Sequence, residues 1–298
     1  MFSIINENST NSKTILLQGD SWIESISEIK QSEKMIKNFA IENNYTVYNA
    51  GITSFAPSLM HKQYEILKQE FNINPEILII YIDQTDIGDE FCRYKNKKIY
   101  SKNGKLERIS REKFTRATYD YSKLYLYSEL NFQSTLNKII KFPAKKTNYF
   151  VKRNINRLNN IFKNGYKNRN IHKCGFREIM KELENYDSNA ERNFKKSLGE
   201  FLDYLANDKN IEKIFIVSFP HKRHLDSTYK VDVSDYINDT LSLSKDKRIN
   251  YINMSKIDFS NFNKDEIYKP NDLASHLKDK YHTEIFIKNI IKNIKKQN

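Results

Sequence analysis

An unbroken apolar run at residues 77–82 constrains the fold of this chain more than any other stretch of its sequence. A strand that is apolar at every position, rather than at alternate positions, is typical of a parallel sheet covered on both faces. Shorter apolar runs at 14–17 and 45–48 precede it, and segments with helical periodicity at 23–43 and 58–71 lie between the three runs. This alternation predicts an α/β fold with a doubly wound parallel sheet.

The alternation stops near residue 91 and resumes near residue 176. The segment 91–175 carries 22 Lys and Arg against 4 Asp and Glu, while the whole chain has a net charge of +13, so the basic character belongs to this segment. We predict a basic insertion, partly helical, in a single domain at 14–298 that follows a flexible N-terminus at 1–13. Beyond the insertion, we predict helices at 176–205 and 232–244, strands at 213–218 and 249–254, and a helix near the C-terminus.

Short polar sequences follow each of the first three predicted strands. They are Gly19-Asp20-Ser21, Asn49-Ala50-Gly51 and Asp83-Gln84-Thr85-Asp86. The carboxyl ends of parallel strands lie at one edge of the sheet, and ligands of open α/β sheets bind there. A serine at that edge, followed by a helix, is a candidate nucleophile, and Ser21 fits this description. Backbone N–H groups at a glycine turn can stabilise an oxyanion, and Gly19 and Gly51 both follow predicted strands at such turns.

A nucleophilic serine needs a base, and histidine is the residue that most often serves. The chain has six histidines: His61, His172, His221, His224, His276 and His282. His276 is the best candidate because it lies in a polar loop before the terminal helix, with Asp272 four residues upstream. A carboxylate at that spacing can orient the imidazole and stabilise its charged form. Ser21, His276 and Asp272 are therefore predicted to form a Ser–His–Asp triad, which is defined by roles rather than chain order.

These groups of residues resemble the sequence blocks of the SGNH/GDSL hydrolase family. The resemblance rests on Gly19-Asp20-Ser21, Asn49-Ala50-Gly51 and the Asp272…His276 pair, and it covers about two thirds of the chain, without the basic insertion. It implies a flavodoxin-like three-layer α/β/α sandwich with a parallel sheet, and a serine hydrolase acting on ester bonds. It also implies an oxyanion hole built from the N–H groups of Ser21 and Gly51 together with a third donor.

The third block departs from the family pattern. That block is usually Gly-x-Asn-Asp, and its best match here is 83–86, where Thr85 stands in place of the asparagine. Thr85 or Gln84 would have to supply the third donor. Loss of one oxyanion donor costs about 3 kcal/mol of transition-state stabilisation. A catalytically silent scaffold that binds an anionic partner through the insertion therefore stays open as an alternative.

The same triad would serve two activities, and the sequence does not separate them. The first is hydrolysis of a small-molecule or glycan ester, and the resemblance favours an O-acetyl group on a carbohydrate. The second is O-acyl transfer to a surface glycan or its precursor. Trp22, Asp86 and His221 are candidates for contact with the substrate. No cofactor or metal is expected. His221 and His224, three residues apart, can suggest a metal site, but no carboxylate cluster completes it and this chemistry needs no metal.

The basic segment is compatible with several partners. It could form a solvated lid, a surface that recognises an anionic substrate, or a peripheral membrane contact. The membrane contact is suggested by lysines that lie close in sequence to Phe142, Tyr149 and Phe150. Nucleic-acid binding is disfavoured because no recognised motif accompanies the charge. No signal peptide or apolar span of about 20 residues is visible. We therefore expect a cytoplasmic protein of undetermined oligomeric state, with Cys92 and Cys174 as reduced thiols.

Overall fold

The computed structural model describes residues 2–8, 12–110, 186–225, 231–257, 259, 263–272 and 274–297. The chain divides into two compact units. The first comprises Met1–Asn96 with Phe176–Asn298, and the second is Lys97–Gly175. The predicted helical insertion lies outside the described residues from residue 111 onwards, as does the predicted helix start at residue 176.

The helices and strands have the following bounds in the described parts of the chain. The strands are β1 (Ser3–Asn6), β2 (Lys13–Gln18), β3 (Tyr45–Asn49), β4 (Ile77–Tyr81), β5 (Lys98–Tyr100), β6 (Leu106–Ile109), β7 (Lys213–Ser218) and β8 (Ile249–Asn253). The helices are α1 (Ser21–Glu28), α2 (Lys30–Glu42), α3 (Pro57–Phe71), α4 (Asp86–Gly88), α5 (Ser188–Ala206), α6 (Lys222–Leu225), α7 (Val233–Leu243), α8 (Lys264–Ile267), α9 (Asp279–Tyr281) and α10 (Lys288–Gln297). A π-helical stretch, His282–Ile287, joins α9 to α10. In the second unit, β5 and β6 form an antiparallel hairpin.

The described residues of the first unit form a six-stranded sheet with the strand order β1-β3-β2-β4-β7-β8. Neighbouring strands are parallel, except that β1 is antiparallel to β3. The five parallel strands, counted along the chain, have the order 2-1-3-4-5 of the flavodoxin-like doubly wound sheet. The predicted fold class, a three-layer α/β/α sandwich with a mostly parallel sheet, is confirmed.

Helices cover both faces of this sheet, and every residue of the central strand β4 is buried. Successive side chains of a strand point to opposite faces. On one face, Ile15 and Leu17 of β2 and Ile79 of β4 share a hydrophobic core with residues of α1, α2 and α10. Leu16 and Ile80, which point to the other face, are also buried, and the helices α3, α5 and α7 contact one another in sequence there. This double coverage explains why the run at 77–82 is apolar throughout.

The N-terminus differs from the prediction of a flexible segment at 1–13. Ser3–Asn6 instead form β1, which pairs with the free edge of β3. Ile5 is buried, and Asn6 Nδ2 donates a hydrogen bond to Tyr45 O at 2.8 Å. The strand is four residues long and its burial does not alternate. It therefore gives no period-two signal in the sequence, and its structure depends on the neighbouring strand.

The state of Cys92 differs from the prediction. Cys92 is disulfide-bonded, so the expectation of a reduced thiol is wrong at this position, while Cys174 lies outside the described residues. Separation along the sequence does not decide such a bond, because a disulfide depends on the distance between Cα atoms in the fold.

In the described part of the chain, we find no helix with the length and apolar character required to span a bilayer.

Candidate active site

Ser21 lies at the junction of β2 and α1. β2 ends at Gln18, and Ser21 is the first residue of α1. The side chain of Asp20 caps this helix, because its Oδ1 accepts a hydrogen bond from Trp22 N–H at 2.9 Å. The first N–H groups of a helix have no intrahelical partners and carry partial positive charge. The Ser21 hydroxyl is therefore placed at the electropositive end of α1, at the carboxyl edge of the sheet.

The structure brings His276 and Asp272 to Ser21 from the distant C-terminal part of the chain. Ser21 Oγ lies 2.6 Å from His276 Nε2, and His276 Nδ1 lies 2.7 Å from Asp272 Oδ2. An ionised carboxylate only accepts hydrogen bonds, so Nδ1 carries a hydrogen and Nε2 is left to accept from the Ser21 hydroxyl. The side chains of His276 and Asp272 are 22% and 20% exposed, so the site is open to solvent. This arrangement can activate a serine for nucleophilic attack.

The loop that carries Asp272 and His276 is held by its own hydrogen bonds. Lys269 N–H donates to His276 O at 2.8 Å, and Ala274 N–H donates to Asp272 Oδ1 at 2.9 Å. Burial alone would raise the pKa of Asp272, but the hydrogen bond and charge of His276 outweigh it and lower that pKa. Asp272 is therefore ionised at neutral pH, which suits it to orient His276 and to stabilise its protonated form.

Gly51, a predicted oxyanion donor, is engaged in holding α1. Its N–H donates to Asn49 Oδ1 at 2.9 Å, so it is not free to donate to an oxyanion. A Cβ at this position would lie 2.3 Å from Glu24 N and 2.6 Å from Ile23 C, which shows how closely the chain passes the backbone of α1. Asn49 Nδ2 also donates to Ile23 O at 2.9 Å. Asn49 and Gly51 thus fix the helix that carries Ser21.

The two candidates for the third oxyanion donor are also engaged elsewhere. The hydroxyl and the N–H of Thr85 both donate to Asp83 Oδ1, at 2.6 and 2.5 Å. Gln84 Nε2 donates to Val231 O at 2.6 Å, and Gln84 Oε1 accepts from Val233 N–H at 2.7 Å. Gln84 therefore ties the end of β4 to the start of α7. Of the predicted donors, this leaves the N–H of Ser21.

The three predicted substrate contacts are buried. Trp22 is 2% exposed, and its ring centroid lies 5.2 Å from that of Tyr81 and 5.1 Å from that of Phe219. Asp86 is 0% exposed and His221 is 4% exposed. Each of these side chains therefore lies inside the protein, and substrate contact at these positions stays a prediction. Trp22 faces the hydrophobic core between α1 and the sheet, and the two polar side chains contribute to internal hydrogen bonds.

Comparisons with known proteins give weak similarities. No family model matches the sequence, and no curated protein matches it. The chain is similar to an acetyl xylan esterase from the rumen bacterium Butyrivibrio proteoclasticus, at 9% identity and a TM-score of 0.42, over 98% of this chain and 65% of that one. It is also similar to a lipase from a goat rumen metagenome, at 8% identity and a TM-score of 0.42, over 94% of this chain and 97% of that one. At these identities and TM-scores, neither similarity supports a statement about activity.

Three buried carboxyl groups meet beside Ser21. One carboxylate oxygen from each of Asp20, Asp83 and Asp86 lies within 4.8 Å of the others. Burial, followed by the charge of the neighbouring carboxyl groups, raises the pKa of Asp20 and of Asp86 well above the ordinary value. Burial also raises the pKa of Asp83, although hydrogen bonds from Thr85 partly offset this rise. Either a shared proton or a divalent cation would relieve the repulsion among these oxygens.

Asp86→Asn is expected to reduce the pH dependence of stability. Asp86 Oδ2 accepts a hydrogen bond from Asp83 N–H at 3.2 Å, and asparagine retains this acceptor. Because the folded-state pKa of Asp86 lies above its ordinary value of 3.8, the native protein binds this proton more tightly than the unfolded chain does. The resulting stability is complete below about pH 4 and is lost as the pH rises through the folded-state pKa. Differential scanning fluorimetry from about pH 5 to about pH 8 should show a smaller fall in Tm for Asp86→Asn than for the native protein.

Asp203→Asn provides the matched control for this prediction. Asp203 is exposed on α5, so its replacement should leave the pH profile of Tm unchanged. An equal loss of Tm at every pH in Asp86→Asn would contradict the prediction, because it would mean that proton binding by Asp86 makes no pH-dependent contribution to stability. A rise in Tm with added Ca²⁺ in the native protein, but not in Asp86→Asn, would show that the cluster binds a cation instead.

His282 is a buried histidine that also holds α1, a role that the sequence did not predict. His282 Nε2–H donates to Trp22 O at 3.0 Å, and His282 Nδ1 lies 2.9 Å from Ser32 Oγ. Burial is the main reason that the pKa of His282 falls to about 4, so the ring is neutral. No local signal could have found this contact, because it joins residues 260 positions apart and depends on how the His282–Ile287 stretch packs on α1.

Proposed function

We propose that this chain is a serine hydrolase that acts on carboxylic esters through a covalent acyl-enzyme. The observation that carries the proposal is the hydrogen-bonded path from Ser21 Oγ through His276 to Asp272, with distances of 2.6 and 2.7 Å. A serine hydroxyl is a weak nucleophile until an adjacent base accepts its proton during attack. The path supplies that base and a carboxylate that orients it.

In the first half-reaction, Ser21 Oγ attacks the ester carbonyl carbon while its proton moves to His276 Nε2. The carbonyl oxygen becomes an oxyanion, which the Ser21 N–H and the positive end of α1 stabilise. His276 then donates the proton to the leaving alcohol, and the acyl group stays on Ser21. Asp272 remains ionised throughout and stabilises the imidazolium.

In the second half-reaction, water attacks the acyl carbon with His276 again as the base. The carboxylic acid leaves, and the Ser21 hydroxyl is restored with its proton returned from His276. The resemblance to the SGNH/GDSL family supports an O-acetyl group on a carbohydrate as the substrate class. If a sugar hydroxyl attacks in place of water, the same residues catalyse O-acyl transfer.

Acetylation of Ser21 is the expected result that tests this proposal. Rapid mixing with an aryl acetate should release a burst of phenol stoichiometric with enzyme, and quenched samples should contain protein heavier by one acetyl group. Peptide mapping should place the acetyl group on Ser21, and Ser21→Ala should show neither burst nor label. Turnover without acetylated Ser21 at any time point would contradict the acyl-enzyme.

An oligosaccharide acceptor separates the hydrolase from the acyltransferase. When an acetyl-free oligosaccharide is added with the aryl acetate, a hydrolase should still release acetate at its original rate. Acetylated oligosaccharide formed at the expense of acetate would assign the chain to acyl transfer. Both outcomes require the same triad. The acceptor experiment therefore distinguishes the two activities only after acetylation of Ser21 has been demonstrated.

A non-catalytic scaffold that binds glycan is the second candidate function. It is favoured by the hydrogen bonds of the predicted oxyanion donors, because Gly51, Thr85 and Gln84 each have a partner within the protein. Calorimetric binding of an acetylated oligosaccharide, together with no burst and no label from the aryl acetate, would favour this candidate over the hydrolase.

A further inference from the structure

We propose that His221 is a positioning residue that holds the His276 loop in the conformation the triad needs. This inference rests on the proposed function and adds a residue outside the triad to it. His221 follows β7 and is buried, with its Nε2 2.8 Å from Ser275 Oγ. Ser275 immediately precedes His276, so the contact is made one residue from the base.

Backbone contacts fix the direction of this hydrogen bond. Arg223 N–H donates to His221 Nδ1 at 3.3 Å. Since a backbone N–H can only donate, Nδ1 is an acceptor, and the neutral ring carries its hydrogen on Nε2. His221 therefore donates to Ser275 Oγ. The backbone of the segment after β7 thus orients the His221 ring, and this ring holds the Ser275 side chain.

Ser275 needs an anchor because its backbone is strained. It has a φ of 59°, in the left-handed region that disfavours residues with a Cβ atom. Its N–H donates to Asp272 O at 3.2 Å, so the chain turns back on itself between Asp272 and His276. That turn brings His276 Nδ1 to Asp272 Oδ2. Strained residues at functional sites persist when surrounding contacts hold them, and the bond from His221 is such a contact.

A second hydrogen bond connects the end of β7 to the other side of the same loop. Tyr268 Oη donates to Pro220 O at 2.9 Å, one residue before His221. The loop is therefore held on both sides by consecutive residues of one segment, Pro220 and His221. Loss of the His221 bond leaves the Tyr268 bond in place, so it should release the half of the loop that carries His276 without unfolding the protein.

The test is a set of variants assayed on an aryl acetate. His221→Ala should lower kcat by about 10- to 100-fold with KM nearly unchanged, since small misplacements of a catalytic group reduce the rate rather than ground-state binding. His221→Gln, whose amide nitrogen can replace Nε2 as donor, should recover most of kcat. Ser275→Ala should match His221→Ala, and the double variant should fall no further because both remove one interaction. Ser242→Ala, an exposed serine of α7, is the control.

Several outcomes would overturn the inference. A native kcat in His221→Ala would overturn the positioning role and leave the proposed function intact. If circular dichroism shows that His221→Ala does not fold, a native kcat in Ser275→Ala would overturn that role in the same way. If the native protein has no esterase turnover, the proposed function fails, and the His276 Nδ1–H proton resonance gives an independent readout. That resonance should shift or broaden in His221→Ala and return in His221→Gln, and an unchanged resonance would overturn the positioning role.

Discussion

Ser21→Ala is expected to lower kcat for ester hydrolysis by about 10⁴- to 10⁶-fold, with little change in KM or Tm. The substitution removes the nucleophile, so only binding and the electropositive end of α1 still act on the ester. The fold should be retained, because the close partner of Ser21 Oγ is His276 Nε2 at 2.6 Å, and the hydrogen bond by which Asp20 caps α1 is untouched. Steady-state kinetics on an aryl acetate would measure the loss, with Ser242→Ala, an exposed serine of α7, as the matched control.

The members of a triad act as a unit, so their losses should not add. His276→Ala is expected to cost nearly as much as Ser21→Ala, and the double variant should be no slower than the worse single variant. Strictly additive losses would mean that the two residues act in separate steps. Native turnover in Ser21→Ala would assign the hydrolysis to another group and would contradict the proposed mechanism.

The sheet could be predicted from sequence because its signals are local. The apolar run at 77–82 indicates a strand buried on both faces, and β4 is such a strand. The pairing of Ser21 with His276 spans 255 positions, yet it could be predicted as a hypothesis. Ser21 has the context of a strand end, His276 has a nearby aspartate, and the chemistry requires that a serine be joined to a base.

The partners of buried polar groups could not be predicted in the same way. The sequence offers Gln84 as an oxyanion donor, but the fold places its amide against Val231, 147 positions away. A free donor and an engaged donor have the same residue type, and only the packing of distant segments distinguishes them. For the same reason, Asp86 and His221 could be taken for substrate contacts, although both are buried.

Gly51→Ala is expected to destabilise the protein by about 3 kcal/mol, at the upper end of the usual range for overpacking. The new Cβ would lie 2.3 Å from Glu24 N and 2.6 Å from Ile23 C, and these are backbone atoms that cannot rotate away. Either α1 or the turn after β3 must shift, and α1 carries Ser21. We therefore expect Tm to fall by roughly 6 to 12 °C, measured by thermal unfolding, and kcat to fall with it.

Gly199→Ala is the control that separates a local clash from the general effect of replacing glycine. Gly199 lies inside α5, and a Cβ there would come no closer than 4.0 Å to Thr240 Cγ2. Replacing an interior helical glycine with alanine should raise stability by about 1 kcal/mol, so the two variants should shift Tm in opposite directions. A native Tm in Gly51→Ala would contradict the close approach to α1.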